Sequence, residues 1–212
     1  MAQNHPGQLI IFEGIDGVGK TTQLELANQV LEKQGVTVQT RRNLGGTPIG
    51  EELRNVMLLP LPRPTETNLY ISVAIQEALI RDVAAARSHQ QVILMDRGPL
   101  SLAAYEVFGS GLEADLGWKF VDDGMQRLQP DLVIVYTADT GRALERAKAN
   151  ASKLDYFESK PLDYFERVAS GYQAALQRYG GMVQIDANQS IESVHEQTMA
   201  AIEKLLKPHS SH

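Results

Sequence analysis

The 212-residue sequence predicts an α/β fold: a five-stranded parallel sheet flanked by helices in three layers. Three observations carry this prediction. Five short apolar runs, Leu9–Phe12, Val36–Gln39, Val92–Met95, Leu132–Tyr136 and Met182–Ile185, are nearly continuous rather than alternating. Strands covered by helices on both faces have that pattern, and such strands pair in parallel. Helical stretches separate the runs, as right-handed crossovers between parallel strands require. No repeat, low-complexity stretch or linker divides the chain, so residues 1–212 read as one domain.

Taken in order, each element has a local reason. Leu9–Phe12 is wholly apolar and ends in a glycine-rich turn. From Thr21 to Lys33, Leu24, Ala27, Val30 and Leu31 fall on one helical stripe, with Gly35 just beyond as a stop. Val36–Gln39 is the second strand. Glu66 to Arg87 contains neither Gly nor Pro and supports a long helix. Val92–Met95 and Leu132–Tyr136 are the third and fourth strands. Leu162 to Tyr179 is helical in pattern, with Gly171 expected to interrupt it. Met182–Ile185 supplies the last strand. A closing helix over Ser190 to Leu206 turns Val194, Ala201, Ile202 and Leu205 inward, with Ser190 as its N-cap.

Composition narrows the function classes. A net charge of -6, a pI near 5.4 and no basic run beyond Arg41-Arg42 argue against nucleic acid as a partner. Small phosphorylated ligands remain compatible, since a pocket needs only a few local cations. Zero cysteines exclude disulfides, thiolate metal sites and a cysteine nucleophile. No stretch approaches the roughly 20 apolar residues of a membrane span, and the N-terminus lacks signal-peptide features, so a cytoplasmic protein is expected. His209 and His212 sit in a polar tail. The five histidines make no H-E-x-x-H or H-x-x-E-H spacing, and no G-x-S-x-G is present.

In parallel α/β sheets ligands sit at the carboxyl ends of the strands. The first such end reads Gly14-Ile15-Asp16-Gly17-Val18-Gly19-Lys20-Thr21, a full match to G-x-x-x-x-G-K-[ST] between a predicted strand and a predicted helix. Gly14, Gly17 and Gly19 permit a tight loop whose N–H groups make an anion nest, and the helix adds its positive end. Lys20 is placed to reach the β- and γ-phosphates of a nucleotide, and Thr21, followed by Thr22, to help hold Mg²⁺.

Two further signals lie at later strand ends. One is Arg42-Asn43-Leu44-Gly45-Gly46-Thr47-Pro48-Ile49-Gly50. The other is Asp96-Arg97, followed by Ser101 and Ala104-Tyr105-Glu106. With FEGIDGVGKTTQ, these segments resemble the thymidylate kinases, P-loop nucleoside monophosphate kinases, over nearly the whole chain. The resemblance implies the P-loop kinase fold and Mg²⁺-dependent transfer of the γ-phosphoryl of ATP to dTMP. It implies that Arg42 and Arg97 hold the acceptor phosphate, a role that suits guanidinium forks. Asp96 would hold the metal with Thr21, Asp16 would lie near sugar and metal, and Tyr105 would press on the sugar and disfavour a 2′-hydroxyl. Homodimers are the implied assembly, and small nucleotides the implied partners.

The sequence departs from that family in several places. Asn43 and Leu44 replace Glu and Pro, Gly98 stands where Tyr or His is usual, and Glu106 replaces Gln. On the long helix, the aromatic residue and arginine that hold thymine in the family align with Ile71 and Ile75, which offer neither stacking nor a charged donor. The lid, about residues 148–159, reads Asp155-Tyr156-Phe157-Glu158 where D-R-F-E is usual. Lys148 or Lys153 then serves as its point charge or belongs to a solvated helix face, and Arg142 and Arg146, one turn apart, can face nucleotide or solvent. The ATP half is intact while the base-reading half is altered. Three readings follow: a dTMP kinase, a kinase for another nucleoside monophosphate, or a nucleotide-binding protein with little kinase activity.

Overall fold

The computed structural model describes residues 7–89, 91–150, 156, 157 and 159–207. Five parallel strands form one sheet in the order β2-β3-β1-β4-β5: β1 Leu9–Glu13, β2 Val38–Arg42, β3 Val92–Asp96, β4 Leu132–Thr137 and β5 Val183–Asp186. β1 lies at the centre and is buried along its whole length. Its register aligns Phe12 with Asp96 on one side and with Ile134 on the other. Arg42 is aligned with Asp96 across the β2–β3 ladder. Successive crossovers from β1 and β3 run in opposite directions, so a crevice opens beyond the carboxyl ends of these two strands.

The helices are α1 Lys20–Lys33, α2 Pro48–Leu58, α3 Thr65–Ser88, α4 Leu100–Leu102, α5 Ala114–Leu128, α6 Thr140–Asn150, α7 Leu162–Tyr179 and α8 Ile191–Leu206. A π-helix, Ala103–Gly109, continues directly from α4. α1 packs with α8, whereas α3, α5, α7 and the π-helix pack among themselves. Among the described residues no helix is long and apolar enough to cross a membrane.

Two sequence expectations shift. The second strand begins at Val38 and extends to Arg42, because Gly35, in a left-handed conformation, closes the turn after α1. As an edge strand it accommodates charge, and Arg41 pairs there with Asp82 of α3. Helix α7 is not interrupted at Gly171. A Cβ at that position would lie 2.7 Å from the Cα of Ala104, so the glycine permits close approach of the π-helix rather than a break. The N-cap at Ser190 is as expected, its hydroxyl accepting from the Ser193 amide at 3.2 Å.

Candidate active site

The phosphate end of the crevice is built by the turn after β1. Gly14, Gly17 and Gly19 all have positive φ. Gly17 carries a second constraint: a Cβ there would fall 1.8 Å from the Ala143 carbonyl oxygen of α6, so only glycine lets the loop rest on that helix. Lys20 opens α1 and is buried, and its Nζ donates to the Ile15 carbonyl at 2.8 Å. Burial, with the positive charge of Arg97, pulls its pKa down to about 8.

Thr21 Oγ1 donates to Asp96 Oδ2 at 2.7 Å, while Asp96 Oδ1 is buried with no hydrogen-bond partner. Among the described residues no group of three or more acidic or histidine side chains converges. A hydroxyl beside one carboxylate with a bare acceptor oxygen suits Mg²⁺, which takes most of its ligands from water and substrate phosphates.

Arg97 is the hub of the site. It adopts a left-handed conformation with φ of 63°, uncommon for a side chain of its size. It forms an ion pair with Asp16 and donates to the Gly14 carbonyl and the Tyr172 hydroxyl at 2.9 Å each. Tyr105 completes a triangle, accepting from Arg97 at 2.9 Å and donating to Asp16 Oδ2 at 2.7 Å. Burial alone would raise the Asp16 pKa, but the charges of Arg97 and Lys20 outweigh it and hold the group below the usual carboxylate range.

Beneath this triangle lies Glu13, at 0% exposure. Its Oε1 accepts from the Gly98 amide at 2.8 Å and its Oε2 from Ser101 Oγ at 2.7 Å and Tyr172 at 3.2 Å. Burial pushes its pKa up to about 6. By gripping the segment just after Arg97, Glu13 secures the backbone turn that aims the guanidinium. The one visible signal for it was a carboxylate closing an otherwise apolar strand.

Arg42 also reaches the cavity, held by Glu51 through both carboxylate oxygens at 3.0 and 2.9 Å. Glu51 takes the Gly46 amide at 2.7 Å, which ties the Gly45-Gly46 loop to the arginine. Asn43 replaces the family's Glu with a different tie. Its Nδ2 donates to the Gly98 carbonyl at 3.0 Å and its Oδ1 accepts from the Leu44 amide at 2.8 Å. Leu44 sits at φ 59°, with its carbonyl bound by Arg54 at 3.0 Å.

Asp16, Lys20, Thr21, Arg42, Asp96 and Arg97 border one cavity of about 690 Å³, which runs from the P-loop to α3 and the π-helix, with Glu13, Glu51 and Tyr172 supporting them from behind. A family model described as thymidylate kinase matches residues 12–198. The chain belongs to the thymidylate kinase family. Membership establishes nucleotide kinase chemistry for the fold, and the intact phosphate end agrees with it.

At the α3 wall the contacts expected from sequence need correcting. Ile71 and Ile75 do not border the cavity: Ile75 is fully buried and Ile71 packs against the core. One residue further on, Ser72 and Gln76 line it, with the same four-residue spacing. The pocket face of α3 is thus one position on from the pair read from the sequence, where no aromatic or charged side chain marks which face meets the cavity. Glu106 lines the same wall from the π-helix. Ser101 and Tyr105 border the same cavity.

The lid side is mixed. Arg146 of α6 borders the cavity, whereas Arg142 and Lys148 are exposed and stand outside it. Lys153, Asp155 and Glu158 lie outside the described residues. Phe157 lines the cavity and meets Tyr105 edge-on at 5.8 Å, a contact unanticipated from sequence. Tyr156 is held between Arg63, 4.1 Å from its centroid, and Lys160 at 4.2 Å.

Proposed function

We propose that this chain, acting as one catalytic domain, transfers the γ-phosphoryl of ATP to the 5′-phosphate of a nucleoside monophosphate. The observation that carries the reading is the convergence of Lys20, Thr21, Asp96, Arg97 and Arg42 on one cavity. A bond forms between an acceptor phosphate oxygen and the γ-phosphorus, the bond to the β–γ bridging oxygen breaks, and ADP leaves. The acceptor oxygen is already anionic, so no general base is required. What the protein must supply is alignment and relief of repulsion between two anions.

Lys20 and the loop amides hold the donor phosphates, and Arg42 and Arg97 hold the acceptor phosphate. Thr21 and Asp96 are the residues that would hold Mg²⁺, which neutralises charge on the transferring group. Tyr105, fixed by Asp16, stands where it presses on the acceptor's sugar. The family's acceptor is dTMP, which would give dTDP, and the family's assembly is a homodimer. A second acceptor reading, a base other than thymine, is favoured by Ser72 and Gln76 on the pocket face of α3.

Coupled ADP release with Mg-ATP and dTMP, dUMP, dCMP and dAMP tests the reaction. Turnover that depends on one of these acceptors is expected. ATP binding with no acceptor-dependent release would contradict the kinase reading.

A further inference from the structure

Asn68, Ser72 and Gln76 recur every fourth residue along α3 and share one face. That face is turned inward: Asn68 and Gln76 are almost wholly buried, and Ser72 and Gln76 border the cavity. A stripe of amides and a hydroxyl there departs from the apolar stripe that ordinarily seats a helix.

Glu106 faces the same wall from the π-helix and is only 2% exposed. Its Oε2 accepts from Asn68 Nδ2 at 3.3 Å, a long bond, and the Ser110 side chain also stands against it. Among the described residues no cation lies within ion-pair distance of it. Arg63 acts on it only through space, because its guanidinium is committed to Asn68 Oδ1 and to the Met57 and Leu59 carbonyls. Lys160 is likewise engaged over the Tyr156 ring. An ionised carboxylate has about four acceptor positions and no donor, and inside a protein each is expected to find a partner. Neutral neighbours leave acceptor capacity at Glu106, and the cavity is where a ligand would meet it.

We propose that Glu106, supported by Ser72 and Gln76, reads the acceptor's base and selects one that presents an exocyclic amino group over one that presents a carbonyl there. An amino N–H completes the carboxylate. A carbonyl in the same place sets acceptor against acceptor and leaves both unpaired, a mismatch that sites built on hydrogen bonds reject strongly. The proposal rests on the kinase reading above and defines its second acceptor.

The test compares dCMP with dTMP on the full chain at about pH 8.5, above the pKa of about 7 that burial gives Glu106, so that the carboxylate is ionised. Coupled ADP release gives kcat/KM, and calorimetric titration with Mg²⁺ and a non-hydrolysable ATP analogue gives affinity. In wild type, dCMP is expected to exceed dTMP by about tenfold or more. Glu106→Gln, which offers either a donor or an acceptor, should shrink that ratio to within about threefold. Glu106→Asp, which keeps the charge, should retain the direction of the preference, and the KM for ATP should move less than about twofold in both variants. A purely structural Glu106 would lower both acceptors alike and leave the ratio unchanged, and that result would overturn the proposal, as would a wild-type preference for dTMP. Absence of turnover with every acceptor would sink the kinase reading, while the calorimetric ratio would still decide the role of Glu106.

Discussion

The two ends of the cavity are built on different principles. At the phosphate end, ionised groups meet charges or a hydroxyl at short range: Arg97 with Asp16, Arg42 with Glu51, and Asp96 with Thr21. Arg97, the hub, has several protein partners and a left-handed backbone turn of its own. At the α3 end, the partners are neutral amides and hydroxyls, and the one acid, Glu106, has no cation at contact distance among the described residues. On the proposed reading, the first end would position phosphates, which every donor and acceptor share, and the second would face the part of the acceptor that differs between substrates. Interlocking at the phosphate end should make it less tolerant of change than the α3 wall.

Substitutions at the two ends should therefore fail differently. Lys20→Ala removes the buried cation that, on the proposed reading, holds the donor phosphates, and should cost about 10²–10³-fold in kcat with the circular dichroism spectrum unchanged. Near-normal turnover in that variant would break the assignment of the P-loop as the reaction centre. Arg97→Ala leaves Asp16 without its ion pair, and a destabilisation of about 3–5 kcal/mol in urea unfolding is expected. At temperatures where it stays folded, its acceptor KM should rise far more than its ATP KM. The opposite pattern would reassign Arg97 to the donor.

Effects at the α3 wall should be smaller and selective. Burial raises the Glu106 pKa from 4.5 to about 7, so the folded state binds this proton more tightly than the unfolded state does. Stability from that proton is complete below about pH 4.5 and lost as pH rises through about 7, a swing of about 3 kcal/mol. Glu106→Gln removes the titration, so its stability relative to wild type should climb between pH 4.5 and 8, read by thermal unfolding across that range. A pH-independent difference would mean that Glu106 titrates normally. Gln76→Ala should raise acceptor KM by about two- to tenfold with ATP KM unchanged, one neutral hydrogen bond's worth. Arg146→Ala, at an exposed position on the cavity rim, should change ATP KM by less than about fivefold.

The same contrast explains what the sequence made legible. Strand ends and the P-loop were readable because backbone geometry forces residue types there: Gly17 against Ala143 of α6, and Lys20 and Thr21 at a helix start. Asp96 and Arg97 could be placed because they follow a fully apolar strand. Ser72 and Gln76 could not. The polar spacing of Ser72 and Gln76 is the same as that of the apolar pair one position earlier, and only the packed helix shows which of the two meets the cavity. Glu13 and Glu51 escaped notice because they work through Ser101 and Arg42, across contacts that only the fold creates. Phe157 reaches Tyr105 from a point 52 residues later in the chain, a pairing that no local pattern announces.

The central claim is that the phosphoryl group passes from ATP to a nucleotide rather than to water. Incubating the protein and Mg²⁺ with γ-³²P-labelled ATP and unlabelled dCMP or dTMP, then separating the products chromatographically, tests it most directly. Label is expected in a nucleoside diphosphate with the wild-type protein and absent from it with Lys20→Ala. Label found only in inorganic phosphate, or left in ATP with every acceptor, would contradict the claim.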